Sequence, residues 1–162
     1  MRLARSTDAG FLGAFFLESW KEAGPEALGF TGATEKDIEE IASKRFLTKI
    51  LRNSRTRIVI AEKGREILGF ASIRRIGRGK AELSGVVVRE SEAGKGIGTR
   101  LVRKASDAAI ALGITKMTVK TEAFNKRAIR FYTKNEFVET GRATERVGKR
   151  SVPVHVLEKR LQ

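Results

Sequence analysis

A glycine-rich turn concentrates the chemistry available to this sequence. Gly94, Gly96 and Gly98 alternate within Ala93-Gly94-Lys95-Gly96-Ile97-Gly98-Thr99, between the apolar run Val86-Val87-Val88 and an amphipathic stretch. Residues without Cβ atoms let successive amides converge on an anion. A helix that starts there adds unpaired N–H groups and the positive end of its dipole. The pattern predicts a diphosphate site. Two familiar glycine motifs do not account for it. No GxxxxGK string followed by Ser or Thr is present, and a GxGxxG reading from Gly94 meets Thr99 where the third glycine belongs.

Few other side chains can act on a bound ligand. The chain has no cysteine, so a thiol nucleophile and thiolate metal sites are excluded, and its single histidine argues against a His-rich metal centre or a Ser-His-Asp triad. No metal is expected. Tyr132 is the only tyrosine; a phenol with a pKa near ~10 is protonated at neutral pH and can donate to a leaving group. Glu82, on the strand that feeds the glycine turn, and His155, between Val154 and Val156, are the candidate proton acceptors. Each also has a structural reading: a strand carboxylate paired with a nearby cation, and a lone strand histidine.

The order of these residues resembles the GNAT superfamily of acyl-CoA-dependent N-acetyltransferases. In that family a strand leads into Gln/Arg-x-x-Gly-x-Gly/Ala; here Gly96 and Gly98 are the glycines and Ala93 occupies the Gln/Arg place. The segment from Asn125 to Phe137 is similar to the family's Asn-x-x-Ala-x-x-x-Tyr helix and the strand after it, with Tyr132 seven residues beyond Asn125. Glu136 stands where the family commonly has glycine, and Asn135 is expected to take the left-handed cap conformation.

The resemblance implies a single N-acetyltransferase domain over residues 1–162, moving the acetyl group of acetyl-CoA directly to a primary amine. It implies that the backbone of Val86, Val87 and Val88 pairs with the pantetheine arm, and that the amide of Val86 or Val88 polarises the thioester carbonyl. Ala93, Gly94, Lys95, Gly96, Ile97, Gly98 and Thr99 form the cofactor cradle, with Lys95 supplying the charge that Ala93 lacks. Tyr132 is the implied general acid, and Glu82 stands near where some members place a catalytic glutamate. Asn125 either bonds the pantetheine arm or caps its helix. Trp20, Leu28 and Phe30 sit where the family shapes its acceptor pocket, and a homodimer is compatible with the family. The alternative is a catalytically inactive acyl-CoA-sensing or nucleic-acid-associated basic module on the same fold.

The formal net charge is +14, from 33 basic and 19 acidic residues. Such a charge attracts anions, coenzyme A and nucleic acid included. The two signs are interspersed and no aromatic-basic alternation is present, so nucleic-acid binding ranks below a solvated, charge-rich surface. No apolar run approaches the ~20 residues of a membrane span, and the first residues lack the apolar core of a secretion signal. A cytoplasmic protein without a membrane partner is expected.

These residues need a frame. Phe11, Leu12, Phe15, Phe16 and Trp20 recur at helical spacing up to Gly24-Pro25. Thr34 opens a second helix with a capping box, its buried stripe being Ile38, Ile41, Ala42, Phe46 and Ile50. Strands over 57–61, 68–76 and 81–88 read as an antiparallel meander. A helix follows the glycine turn and ends at Gly113. Strand 115–121, the Asn125 helix, and strands 137–140 and 152–157 complete an α+β fold, a mixed, mostly antiparallel sheet flanked by about four helices.

Overall fold

The computed structural model describes residues 1–27, 33–147 and 150–162. Its elements run β1 (Arg2–Leu3), α1 (Ala9–Ala27), α2 (Glu35–Ala42), α3 (Lys44–Arg52), β2 (Thr56–Lys63), β3 (Glu66–Gly77), β4 (Lys80–Val88), α4 (Ile97–Ile110), β5 (Lys116–Glu122), α5 (Lys126–Lys134), β6 (Val138–Val147) and β7 (Arg150–Arg160). The expected α+β class and the meander are present, extended by the short strand β1. Gly24, at φ 76°, interrupts α1 where the Gly-Pro pair predicted its end. Leu28 and Phe30 lie outside the described residues.

The second expected helix is two helices. Ser43 adopts φ −62°, ψ 141°, ending α2, and its hydroxyl accepts the Phe46 amide to start α3. Serine competes with the helical ladder through its own side chain, so a single apolar stripe conceals the break. This raises the expected four helices to five among the described residues. The Thr34–Asp37 capping box forms as expected: Asp37 Nα–H bonds the Thr34 hydroxyl at 3.2 Å, and Asp37 Oδ2 accepts the Thr34 amide at 2.8 Å. The Thr34 amide, and after it the Thr34 hydroxyl 2.7 Å away, donate to the Asp37 carboxylate and hold it below its ordinary pKa.

The sheet order is β1-β2-β3-β4-β5-β7-β6. All neighbours are antiparallel except β4 and β5. Strand alternation sorts the apolar residues to two faces. Val59, Ala61, Ala71 and Ile73 pack with Leu101, Ala105 and Ala109 of α4, and the same cluster takes in Tyr132 and Phe137. Ile58, Ile60 and Val87 pack on Leu12 and Phe15 of α1.

The parallel pair is brief. β4 meets β5 only through Lys80–Lys116, Ala81–Met117 and Glu82–Thr118. Just beyond, the β3–β4 register slips so that Ser72 faces Gly85 and Ile73 faces Leu83. Ser84 is therefore the extra residue of a bulge, which bends β4 away from β5. The sheet opens there into a cleft.

Candidate active site

The cleft leads into a cavity of about 870 Å³, lined by β4 from Glu82 to Val87, by β5 from Val119 to Glu122, and by Asn125 and Tyr132. Its other wall is built from α1, α2 and α3, through Leu12, Phe16, Ile41, Phe46, Leu47 and Ile50.

One edge of β4 is free within this cleft. The Arg89 amide bonds the Leu68 carbonyl, and Val87 faces Phe70. Antiparallel alternation therefore turns the amides of Val87 and Arg89 toward β3 and those of Val86 and Val88 toward the gap left by β5. The Val87 side chain is buried under α1, while Val86 and Val88 pack against the α4 cluster. Side chains hold the strand, and backbone faces the cleft. Arg89 fixes its exit, with Glu18 of α1 at 3.2 Å, Glu66 of β3 at 3.4 Å and the Phe15 ring centre at 5.5 Å.

Beyond Arg89 the glycine turn places its amides. Gly94 and Gly96 have φ of 77° and 76°, a region that favours glycine. A β-carbon on either would meet nothing within 4 Å, so their bare backbone faces open space. Gly96 is the left-handed N-cap of α4, and Arg100 N–H to Gly96 C=O, at 3.1 Å, begins the helical ladder. The amides of Ile97, Gly98 and Thr99 then point out of the helix end. Gly98 is needed for a different reason: a β-carbon there would lie 3.0 Å from Phe131 Cε2. The turn thus offers a cradle of the kind a diphosphate fits. Ala93 contributes no polar side chain, and its amide is already bonded to Glu90 C=O at 3.0 Å. The Lys95 ammonium is paired with Glu92 at 3.0 Å.

Tyr132 is brought to the cavity from α5. Its ring, 7% exposed, packs edge-on against Phe131 and Phe137. Burial pushes its phenol up to about 12, so it is protonated at every physiological pH. Asn125 caps α5, its Oδ1 accepting the Ala128 amide at 3.0 Å, and it also lines the cavity. The left-handed residue after α5 is Glu136, at φ 68°, and not Asn135, at φ −95°. Asn135 instead turns its amide inward to donate to Phe131 C=O at 2.8 Å. Glu136 tolerates its position with the Lys159 ammonium 2.7 Å from its carboxylate, which lowers its pKa.

Of the two candidate proton acceptors, only Glu82 reaches the cavity, where it faces Arg74 at 3.5 Å. His155 lies on the other face of β7 from the cavity-lining Val152 and Val154, and its Nδ1 is 2.9 Å from Glu139. That contact, before any other cause, holds the Glu139 carboxyl below its ordinary pKa. Glu122 is a cavity carboxylate that sequence reasoning missed. It is 5% exposed and ends β5 three residues before Asn125. A charged residue closing a strand of alternating character was the available signal. Among the described residues no cluster suited to a metal ion occurs, and no helix is long and apolar enough to cross a membrane.

With this geometry in view, the comparisons agree. The sequence model described as the acetyltransferase (GNAT) family matches residues 15–137. The chain belongs to the GNAT acetyltransferase family, and is an acyltransferase whose cosubstrate is acetyl-CoA. Its fold is shared with an acetyltransferase of the GNAT family from Streptococcus pneumoniae, at 22% identity and a TM-score of 0.73 over 99% of this chain and 98% of that one. PaiA N-acetyltransferase from Thermoplasma acidophilum, solved in complex with coenzyme A, aligns at 24% identity and a TM-score of 0.72, covering 98% of this chain and 96% of that one. Ribosomal-protein-alanine N-acetyltransferase from Brucella melitensis gives 22% identity and a TM-score of 0.75 over 99% and 98% of the respective chains. No curated protein sequence matches the chain.

Proposed function

We propose that this protein is an N-acetyltransferase that moves the acetyl group of acetyl-CoA directly to a primary amine. The reading is carried by the free edge of β4 at Val86 and Val88, which runs on into the amides of Gly94, Gly96, Ile97, Gly98 and Thr99, and by the buried phenol of Tyr132, which lines the same cavity as Val86. Acetyl-CoA supplies the activated acyl carbon and a thiolate leaving group.

The roles of the chain's own residues follow from their positions. Val86 and Val88 pair with the pantetheine arm along the free edge, and one of their amides polarises the acyl oxygen. The amides of the glycine turn hold the diphosphate, since bare N–H groups at a helix start favour anions. Ala93 and Lys95 border this cradle. Tyr132 holds a proton on Oη for the departing sulfur, and Asn125 orients the helix that carries it. Glu82 takes the proton of the incoming amine through water. Glu122, on the same face of the sheet, adds a second carboxylate that draws a cationic amine into the cavity.

The test pairs binding with turnover. Thermal unfolding with acetyl-CoA at ~100 times its dissociation constant, against ATP at matched ionic strength, should show a stabilisation of ~2.7 kcal/mol for acetyl-CoA alone. Thiol release is then followed across a panel of amines. Selective stabilisation with thiol release for at least one amine supports the proposal. Stabilisation without release from any amine would replace it with the acyl-CoA-sensing reading.

A further inference from the structure

The excess positive charge is not spread evenly. From Ile41 to Ala61 the sequence carries Lys44, Arg45, Lys49, Arg52, Arg55 and Arg57 and no acidic residue. The structure gathers four of these on α3. Lys44, Arg45, Lys49 and Arg52 are all exposed, and together with Thr48 and Asn53 they line a shallow open hollow of about 780 Å³. The balance of charge reverses at Ser43: α2 holds Glu35, Asp37, Glu39 and Glu40 against Lys36 alone, whereas every charged residue of α3 is a cation. Among the described residues none of the four belongs to an ion pair, so their charge is left to solvent and to whatever anion approaches.

We infer that the outer face of α3 docks duplex nucleic acid through its phosphate backbone. A partner must match four concentrated cations and two neutral hydrogen-bonding side chains, with no apolar anchor between them. An acidic protein docks through buried aromatic or aliphatic anchors as well as charge, and the face has none. An anionic membrane would need an apolar side to α3, but Phe46, Leu47 and Ile50 are turned inward to line the cavity. Single strands are gripped by stacking on aromatic rings, which the hollow also lacks. Regularly spaced phosphates fit what remains. Lys44 and Lys49, about 1.4 helical turns apart, are separated by ~7.5 Å along the axis, close to the ~6.8 Å rise of two phosphate steps on one strand. Because the inner face of α3 borders the cavity, the duplex would lie within about one helix diameter, ~10 Å, of the acceptor side.

The test uses the whole chain and a fluorescently labelled DNA duplex of mixed sequence, with binding read by anisotropy between 50 and 200 mM salt, the range over which phosphate contacts weaken steeply, by roughly 10³-fold or more for 6–10 contacts. The variant K44Q/R45Q/K49Q/R52Q is compared with K63Q/R65Q/R78Q/K80Q, which removes equal charge from the exposed hairpin turns. The α3 variant should bind at least ~10-fold more weakly and lose up to about four from the slope of log affinity against log salt, one per contact. The hairpin variant should keep most of both. Retained stabilisation of the α3 variant by acetyl-CoA shows that it is folded. Equal losses in the two variants, or no binding by the unaltered chain, would overturn the inference. So would tighter capture of anionic vesicles or of an acidic peptide than of the duplex.

Discussion

Gly98 and Phe131 stand in contact across the start of α4 and the middle of α5, so close that a methyl group on Gly98 would lie 3.0 Å from the ring and force it to shift. The two helices that bear the glycine turn and the tyrosine are held in register by this pair. Gly98→Ala should gain up to ~1 kcal/mol in helix propensity and lose ~1–3 kcal/mol to overpacking, for a net destabilisation of about 1 kcal/mol. Phe131→Leu in the same chain should recover most of the loss, and a double-mutant cycle of denaturant unfolding reads the coupling. Simple additivity of the two changes would show that the contact does not constrain the helices.

Tyr132→Phe should lower kcat by ~10²-fold or more while leaving acetyl-CoA stabilisation intact, because the hydroxyl is lost and the packed ring is kept. The phenol's raised pKa also makes a stability prediction. The folded chain binds this proton more tightly than the unfolded one, so the stabilisation is complete below the unfolded value near 10 and is lost as pH rises toward about 12. The loss is on the order of 2–3 kcal/mol, and Tyr132→Phe should flatten that part of the curve.

Glu82→Gln should reduce kcat/KM by ~10–10²-fold. His155→Ala should leave it within about twofold, since His155 faces Glu139 on the far side of β7. Steady-state kinetics on both variants decide between them. A loss of that size in Glu122→Gln, with Glu82→Gln close to the unaltered chain, would transfer the base role to Glu122.

Glu136→Gly should stabilise the fold by about 0.5 kcal/mol. A left-handed residue with a Cβ costs ~1–2 kcal/mol, offset in part by the ~0.5–1 kcal/mol of extra backbone entropy that glycine loses on folding, and the ion pair with Lys159 contributes little because the Glu136 carboxylate is exposed. Gly94→Ala and Gly96→Ala have the opposite sign, because they create that strain where the helix must begin. Chemical denaturation of the three variants measures both directions.

Features set by a few adjacent residues were legible in the sequence. The glycine turn, the Thr34 capping box, the meander and the Asn125 cap each depend on local chemistry, and each stands where it was expected. Features set by distant strands were not. Nothing near Val152 announces that β7 enters between β5 and β6, and nothing near Glu82 announces that the parallel pairing ends with it. Ser43 and Glu136 were missed for a local reason: apolar periodicity and a preference for Asn in left-handed positions each outweighed a weaker signal. Glu122 was missed because its burial comes from the splayed strands, not from its neighbours in sequence.

The insertion of β7 between β5 and β6 also sets an order of assembly. The meander β2-β3-β4 joins near neighbours by tight turns, whereas β5 must wait for a strand that begins 28 residues after it ends, beyond a helix and another strand. Local pairings form fast and long-range ones slowly. The cleft between β4 and β5 is therefore the seam between an early-folding half and a late one. Catalytic competence should appear last during refolding, after most of the helical signal has returned.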